Sequence, residues 1–335
     1  MKRSRDSIPG AAAGLPAAGE RCADTRPLHQ WVERFLDNLV LVRGRTANTL
    51  QAYRRDLARY DHFCGTRHIR HPRDIDARLV GEFLGHLTTA GLSPASMARS
   101  LSSVKSFHRY LLQNEICPHN PARSLRTPRI PRRLPDILSV RQMRKLLAAP
   151  PEDDPNGIRD RAILAVLYGC GLRVSEAAHL SLDEVDFESQ FVRIRGKGNK
   201  ERLVPFGRMT HDALTVYLDG PRFTGRRGSE CDRVFLSRRG EGLTRMGMWL
   251  VVRKAATRVD LTGRVTPHTF RHSFATHLIE AGADLRSVQM MLGHASVSTT
   301  QIYTHLDRRH LQDVHARCHP LEAVARQAVA GGKSA

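Results

Sequence analysis

Residues 268–305 read HTFRHSFATHLIEAGADLRSVQMMLGHASVSTTQIYTH. Pro267, just before this stretch, marks a helix start, because proline at the first helical position gives up only an amide that would be unpaired there anyway. His268 and Arg271 stand three residues apart, so both fall on one face of that helix, close to a positive end that welcomes a phosphate. His272 and His277 fall off that face and read as structural or interfacial. A second, amphipathic helix over GADLRSVQMMLGH stops at Gly293, the residue type that closes helices with a left-handed turn. That turn lets His294 point inward as a hydrogen-bond donor, and Tyr303 follows nine residues later.

Two upstream runs add cations to this set. Arg173 lies in GCGLRVSE, close to the start of a short helix. On its own it would pass for a surface arginine paired with Glu176. Lys197 and Lys200 share the turn of RGKGNKERLVP, in a chain with only seven lysines. Breaking a phosphodiester without a metal requires a nucleophile, positive charge on the nonbridging oxygens and a proton for the departing oxygen. A guanidinium is planar, permanently charged and matched to two phosphate oxygens, which suits Arg173 and Arg271 to the second task. Arginine does not release its proton at usable pH but lysine can, so one of the turn lysines suits the third. A lone tyrosine is usually core; in this company Tyr303 is the candidate nucleophile. The sequence around these residues carries neither a paired DxD nor an HExxH, the signatures of two-metal nucleases and zinc proteases.

The bulk of the chain is consistent with a DNA partner. Lys+Arg number 53 against 33 Asp+Glu, a net charge of +20 that favours phosphate-rich partners through counterion release and steering. Arginine outnumbers lysine 46 to seven, so part of this excess is compositional. Six scattered cysteines at 22, 64, 117, 170, 231 and 318 form neither a disulfide framework nor a zinc pattern, and suit a reducing cytoplasm. No apolar run approaches the length of a bilayer crossing. No sustained apolar segment follows the charged first residues, so 1–26 reads as a disordered tail rather than a signal peptide.

With 335 residues the chain is read as two folded domains with flexible ends. Over 27–117 the period is helical. Trp31, Phe35, Leu39 and Val42 recur on one stripe, Leu50, Tyr53, Leu57, Tyr60 and Cys64 on a second, and Met97, Leu101, Val104, Phe107 and Leu111 on a third. Ser93 before Pro94 is a strong helix start, and a further helix is expected at 76–89, giving a bundle of about four. Arg43, Arg45, Arg54, Arg55, Arg59, Arg67 and Arg70 crowd the second helix and its flanks, diluted only by Asp56 and Asp61, which favours phosphate contact. Residues 118–136, with five prolines and five arginines, read as an extended linker. A second domain opens at 137 with a capping box of Ser139 and Gln142, continues through helices at 139–148 and 157–169, and includes a hairpin of 191–195 with 202–206. Helices then dominate to 322, and 323–335 reads as a flexible tail. The fold class is mainly α with a small β-sheet.

Six side chains therefore occur in the order Arg173, Lys197, His268, Arg271, His294, Tyr303, and with their local sequence they resemble the tyrosine recombinase (integrase) family, most closely its Xer subgroup. The resemblance covers about residues 27–321. It implies a SAM-like core-binding bundle joined to an α+β catalytic domain as a C-shaped clamp on DNA. It assigns the catalytic lysine to Lys197 and leaves Lys200 among the DNA-contact candidates with Arg43, Arg45, Arg54 and Arg55. Tyr303 would attack the scissile phosphate to form a 3′-phosphotyrosyl link and free a 5′ hydroxyl, with no cofactor or metal. The resemblance further implies tetramers on two DNA sites, strand exchange through a Holliday junction, a last helix (HLDRRHLQDVHARCHPLEA) docked on a neighbouring protomer, a related recombinase as co-worker, a septal DNA translocase as activator, and a role in resolving chromosome or plasmid dimers at cell division. Integration of a mobile element, a type IB topoisomerase-like activity and a DNA-binding accessory protein that never cuts remain as alternatives.

Overall fold

Apolar stripes and local caps build the first unit. The structure is a computed structural model that describes residues 26–41, 47–126, 137–196, 201–224, 231–263, 265–293 and 305–322. The chain divides into two units, Met1–Arg132 and Arg133–Ala335. In the first, helices α1 (Leu28–Leu41), α2 (Ala47–Thr66), α3 (Ala77–Thr89) and α4 (Pro94–Gln113) form a bundle. Asp76 caps α3 by accepting from the Leu79 amide at 2.7 Å, and Ser93 caps α4, with Pro94 at its first position. The stripe residues Trp31, Phe35, Leu39, Leu57, Tyr60, Leu101, Val104, Phe107 and Leu111 are buried together. Phe35 meets Phe107 edge-on at 5.7 Å. Val42, on the same sequence stripe, lies outside the described residues.

Asp56 does not dilute the basic surface of α2. It is fully buried, gripped by Arg99 through two hydrogen bonds of 2.9 and 3.1 Å and by the Ser103 hydroxyl at 3.3 Å. Within the stretch read as linker, residues 118–126 pack on the bundle: Ala122 is buried, Lys105 donates from Nζ to the Leu125 carbonyl at 2.7 Å, and Asn120 donates to the Lys105 carbonyl at 3.1 Å. Residues 127–136, and the tails 1–25 and 323–335, lie outside the described residues.

The second unit is arranged around one helix. Helices α5 (Val140–Ala148), α6 (Pro155–Gly169) and α7 (Val174–His179) lead to a sheet of β1 (Val185–Asp186), β2 (Phe191–Arg195) and β3 (Glu201–Pro205), followed by α8 (Arg208–Asp219), α9 (Pro221–Thr224), α10 (Arg245–Arg258), α11 (Pro267–Glu280), α12 (Leu285–Leu292) and α13 (His305–Cys318). The capping box forms as read: the Ser139 amide donates to Gln142 Oε1 at 2.9 Å and the Gln142 amide to Ser139 Oγ at 3.2 Å. Every residue from Ala162 to Gly169 of α6 is buried, as expected of a helix that is apolar all round and has to be covered by others. The sheet is antiparallel in the order β1-β2-β3, with Ile194 opposite Arg202. That register puts Arg202 of β3 beside a core position.

Helix α13 packs on the rest of its own unit. Leu311, Val314 and Cys318 join the core, and His315 Nε2 donates to the Gly169 carbonyl at 2.8 Å. The ring of His319 stacks on His315 at 4.7 Å and lies 4.8 Å from Tyr168. Nearby, His277 Nε2 faces the Leu138 carbonyl at 2.9 Å and Nδ1 faces the Tyr168 hydroxyl at 2.7 Å. A carbonyl only accepts, so Nε2 carries the proton and Nδ1 accepts from the phenol. Burial holds His315 down to about 4 and His319 well below the usual imidazole range.

These histidines fold neutral, while the unfolded chain takes up their protons near pH 6.5. Stability from this source is therefore complete above about pH 6.5 and is lost as the pH falls towards 4. The melting temperature should drop across that window, and His315→Gln, which keeps a donor for Gly169 but does not titrate, should flatten the drop. An unchanged slope in the variant would remove His315 from this account.

Candidate active site

Arg173 and Arg271 reach one carboxylate from different helices. Arg173 is the N-cap of α7: its amide donates to Glu176 Oε2 at 2.8 Å and its Nη1 to Glu176 Oε1 at 2.7 Å. Gly171 places it. With φ of +58° Gly171 sits in the left-handed region, and a Cβ there would meet the Phe274 ring at 2.5 Å, so the chain turns out of α6 only because this position has no side chain. Arg271, on the second turn of α11, donates from Nη1 to the Gly171 carbonyl at 2.9 Å and from Nη2 to the Leu292 carbonyl, and its Nη1 lies 3.9 Å from Glu176 Oε2.

A third cation completes the cluster. Arg202 Nη1 and Nη2 bind the two Glu176 oxygens at 3.0 and 2.7 Å, and its Nε donates to the Met291 carbonyl at 2.8 Å. The side chains of Glu176 and Arg202 are 8% and 6% exposed, whereas Arg173 is 43% exposed, so the pair is structural and Arg173 faces outward. Burial alone would raise the Glu176 carboxyl, but hydrogen bonds and charge from Arg202, with those from Arg173, hold it below the usual carboxylate range. Burial, the neighbouring Arg173 and Arg202 charges pull Arg271 down to about 10 against the opposing pull of Glu176. It stays protonated at neutral pH. Three guanidiniums share one carboxylate, leaving a cationic site in a partly desolvated setting, where charge acts most strongly on an anion.

The remaining candidates are placed as follows. His268 is exposed in the first turn of α11, whose start is capped by Thr266 with Pro267 at the first position, as the sequence indicates. Gly293 ends α12 with φ of +66°, the left-handed stop expected there. Lys197, Lys200, His294 and Tyr303 lie outside the described residues, as do Arg43 and Arg45. The chain leads directly to three of them: β3 begins just after Lys200, His294 follows Gly293, and α13 begins two residues after Tyr303. Arg54 and Arg55 are exposed on α2, and Arg54 makes only a long, exposed contact of 3.4 Å with Glu33, too weak to withhold it from another anion. In the sequence Glu176 is visible only as a partner for a surface arginine, through its spacing from Arg173, and nothing there singles out Arg202. Among the described residues, no group of three or more His, Cys, Asp or Glu is arranged to hold a metal ion.

This geometry meets the comparisons with known proteins. Residues 136–310 match the phage integrase family, and residues 32–115 match the phage integrase N-terminal SAM-like domain. The chain belongs to the phage integrase family. It is 40% identical over 289 residues to tyrosine recombinase XerD of Staphylococcus aureus strain Mu50, covering 86% of this chain and 98% of that one, and 39% identical over the same length to XerD of Staphylococcus epidermidis. It is thus a tyrosine recombinase of Xer type, an enzyme of site-specific DNA recombination. Solved structures share the fold: XerH recombinase bound to its difH substrate, before cleavage, aligns with a TM-score of 0.64 at 23% identity over 87% of this chain and 96% of that one, and the Tn1549 transposon integrase in complex with circular intermediate DNA with a TM-score of 0.64 at 19% identity over 84% and 98%. Among the described residues no helix is long and apolar enough to cross a membrane.

Removing one side of the buried pair should be costly. Glu176→Ala leaves Arg202 uncompensated and should destabilise the recombinase by about 3–5 kcal/mol, measured by chemical denaturation of the full chain. A loss below about 1 kcal/mol would mean the pair is no more than a surface ion pair.

Proposed function

We propose that the recombinase cuts and rejoins DNA through Tyr303. The Tyr303 oxygen attacks the scissile phosphorus, the bond from phosphorus to the 5′ oxygen breaks, and the protein holds the 3′ end as a phosphotyrosyl ester. Arg173 and Arg271 neutralise the nonbridging oxygens, and His294 adds a hydrogen bond to them. Lys197 gives the leaving 5′ oxygen its proton, and His268 moves protons at the attacking and leaving oxygens. Reversal of the same step by a 5′ hydroxyl from another duplex joins strands without outside energy, because the phosphotyrosyl ester keeps the bond energy. The observation that carries this reading is the meeting of Arg173 and Arg271, from separate helices, at one carboxylate in a cluster with excess positive charge.

The role we infer is resolution of chromosome or plasmid dimers at cell division, on two copies of a DNA site held by a tetramer of this chain, alone or with a related recombinase, and proceeding through a Holliday junction. The enzyme would work at the nucleoid in the cytoplasm, with a septal DNA translocase as activator. In this reading Arg54, Arg55 and Lys200, with Arg43 and Arg45, hold the DNA backbone. The XerD relatives and the DNA-bound XerH support this assignment.

Full-length protein incubated with genomic DNA of the source cell should leave covalent adducts at a defined sequence, and a substrate nicked beside that sequence should trap the protein at high yield. Tyr303→Phe should abolish trapping. Adducts that persist in that variant would transfer the nucleophile elsewhere, and adducts without sequence preference would favour a topoisomerase. Replacing Arg54 and Arg55 by glutamine should flatten the plot of log affinity against log salt by roughly two units, about one per lost phosphate contact. An unchanged slope would place α2 away from the backbone.

A further inference from the structure

Arg202 is buried, yet its guanidinium joins two parts of the site that are distant in sequence. One end holds both Glu176 oxygens, the carboxylate that orients Arg173 at the start of α7. The other end holds the Met291 carbonyl, next to Leu292, whose carbonyl is taken by Arg271. Two guanidiniums therefore grip the last carbonyls of α12, where the helix dipole is negative, one residue short of the Gly293 turn. The fit is close. A Cβ on Gly293 would stand 2.9 Å from Arg202 Cδ, so the left-handed glycine both ends the helix and makes room for the arginine stem.

The charge arrangement shows what this contact does. A buried carboxylate among three cations would bind tightest to whichever could approach it in a two-pronged fashion. Arg202 occupies that position, so the Arg173 guanidinium meets Glu176 through one terminal nitrogen, beside the bond from its amide, and Arg271 stays 3.9 Å away. Among the described residues, Nε and Nη2 of Arg173 carry no hydrogen bond, and Arg173 is the most exposed of the three cations. We propose that Arg202 is a positioning residue: by saturating Glu176 and fixing the end of α12, it keeps the carboxylate from taking a second nitrogen of the Arg173 guanidinium or closing on Arg271, and so leaves both guanidiniums available to phosphate. This inference rests on the assignment of Arg173 and Arg271 to the scissile phosphate. Without Arg202, Glu176 would swing onto Arg173 and Arg271 and compete with the phosphate for them.

The test measures single-turnover trapping on the nicked substrate, equilibrium affinity for the same duplex, and melting temperature, for full-length Arg202→Met, Arg202→Lys and the double variant Arg202→Met with Glu176→Gln. Arg202→Met should slow trapping about 100-fold, the scale of an ångström-sized misplacement at a reacting centre, with a much smaller change in affinity. Arg202→Lys, which keeps charge but loses the two-pronged contact, should also be slow. The double variant removes the unpaired buried carboxylate along with the arginine, so it should melt near the parent temperature and recover much of the rate lost in Arg202→Met. Trapping at the parental rate in Arg202→Met or Arg202→Lys would overturn the proposal. So would a double variant that melts normally but stays as slow as Arg202→Met, or rate and affinity that fall in parallel. Tyr303→Phe run alongside separates the two readings: if it still traps, the site assignment itself fails, whereas an inert Tyr303→Phe with a fast Arg202→Met defeats only the role of Arg202.

Discussion

A single carboxylate with three guanidiniums around it is the constraint on which the catalytic unit turns. Bringing Arg173, Arg202 and Arg271 together would be repulsive in a partly dehydrated site, and Glu176 is what makes it tolerable. Because the carboxylate is itself held by Arg202 and by the Arg173 amide, it stays ionised despite its burial. The cost of gathering positive charge is met during folding. In the proposed mechanism an incoming phosphate would find its cations already placed, with little left to reorganise at the moment of reaction.

Much of the local architecture could be read from the sequence because it follows from short-range rules. Ser93 with Pro94, Ser139 with Gln142, Pro267 and Gly293 mark helix ends through hydrogen bonds or dihedral angles that depend on a few adjacent residues, and each does so in the structure. The stripes of α1 and α4 point to a core for the same reason. The central helix α6 gives no such signal about its partners, since its second half, Ala162–Gly169, is buried on every side and has no polar face to reveal its orientation. Asp56 looks like a surface charge in sequence, and only the approach of Arg99 from α4, 43 residues away, takes it inside.

The site divides along the same line. Arg173, His268 and Arg271 could be nominated by residue type and spacing, because guanidinium and imidazole chemistry next to a helix start is a local property. The partnership that organises them was not visible. Arg202 lies 26 residues from Glu176 and 89 from Met291, beside a turn in which the two lysines are the chemically conspicuous residues. Nothing in ERLVP distinguishes an arginine that faces solvent from one folded under the strand. The register that puts Arg202 opposite Ile194, a buried position, decides it.

The site is assembled by contacts that are long-range in sequence. The contacts that define it join β3 to α7, β3 to α12, and α11 to the turn at Gly171 across 26, 89 and 100 residues. Loop closure on that scale is entropically opposed, and the contact of α6 with α11, Tyr168 to His277 across 109 residues, bears the same cost. The cationic cluster is held in place by that packing, and the positions that carry it are mundane ones. Phe274 closes against Gly171, Gly169 lets α8 approach α6 where a Cβ would lie 2.1 Å from Thr210 Oγ1, and His315 of α13 takes the Gly169 carbonyl. The last helix of the unit thus bonds to the carbonyl four residues before Arg173. Any partner that drew α13 away from its own unit would have to give up that hydrogen bond and expose His315.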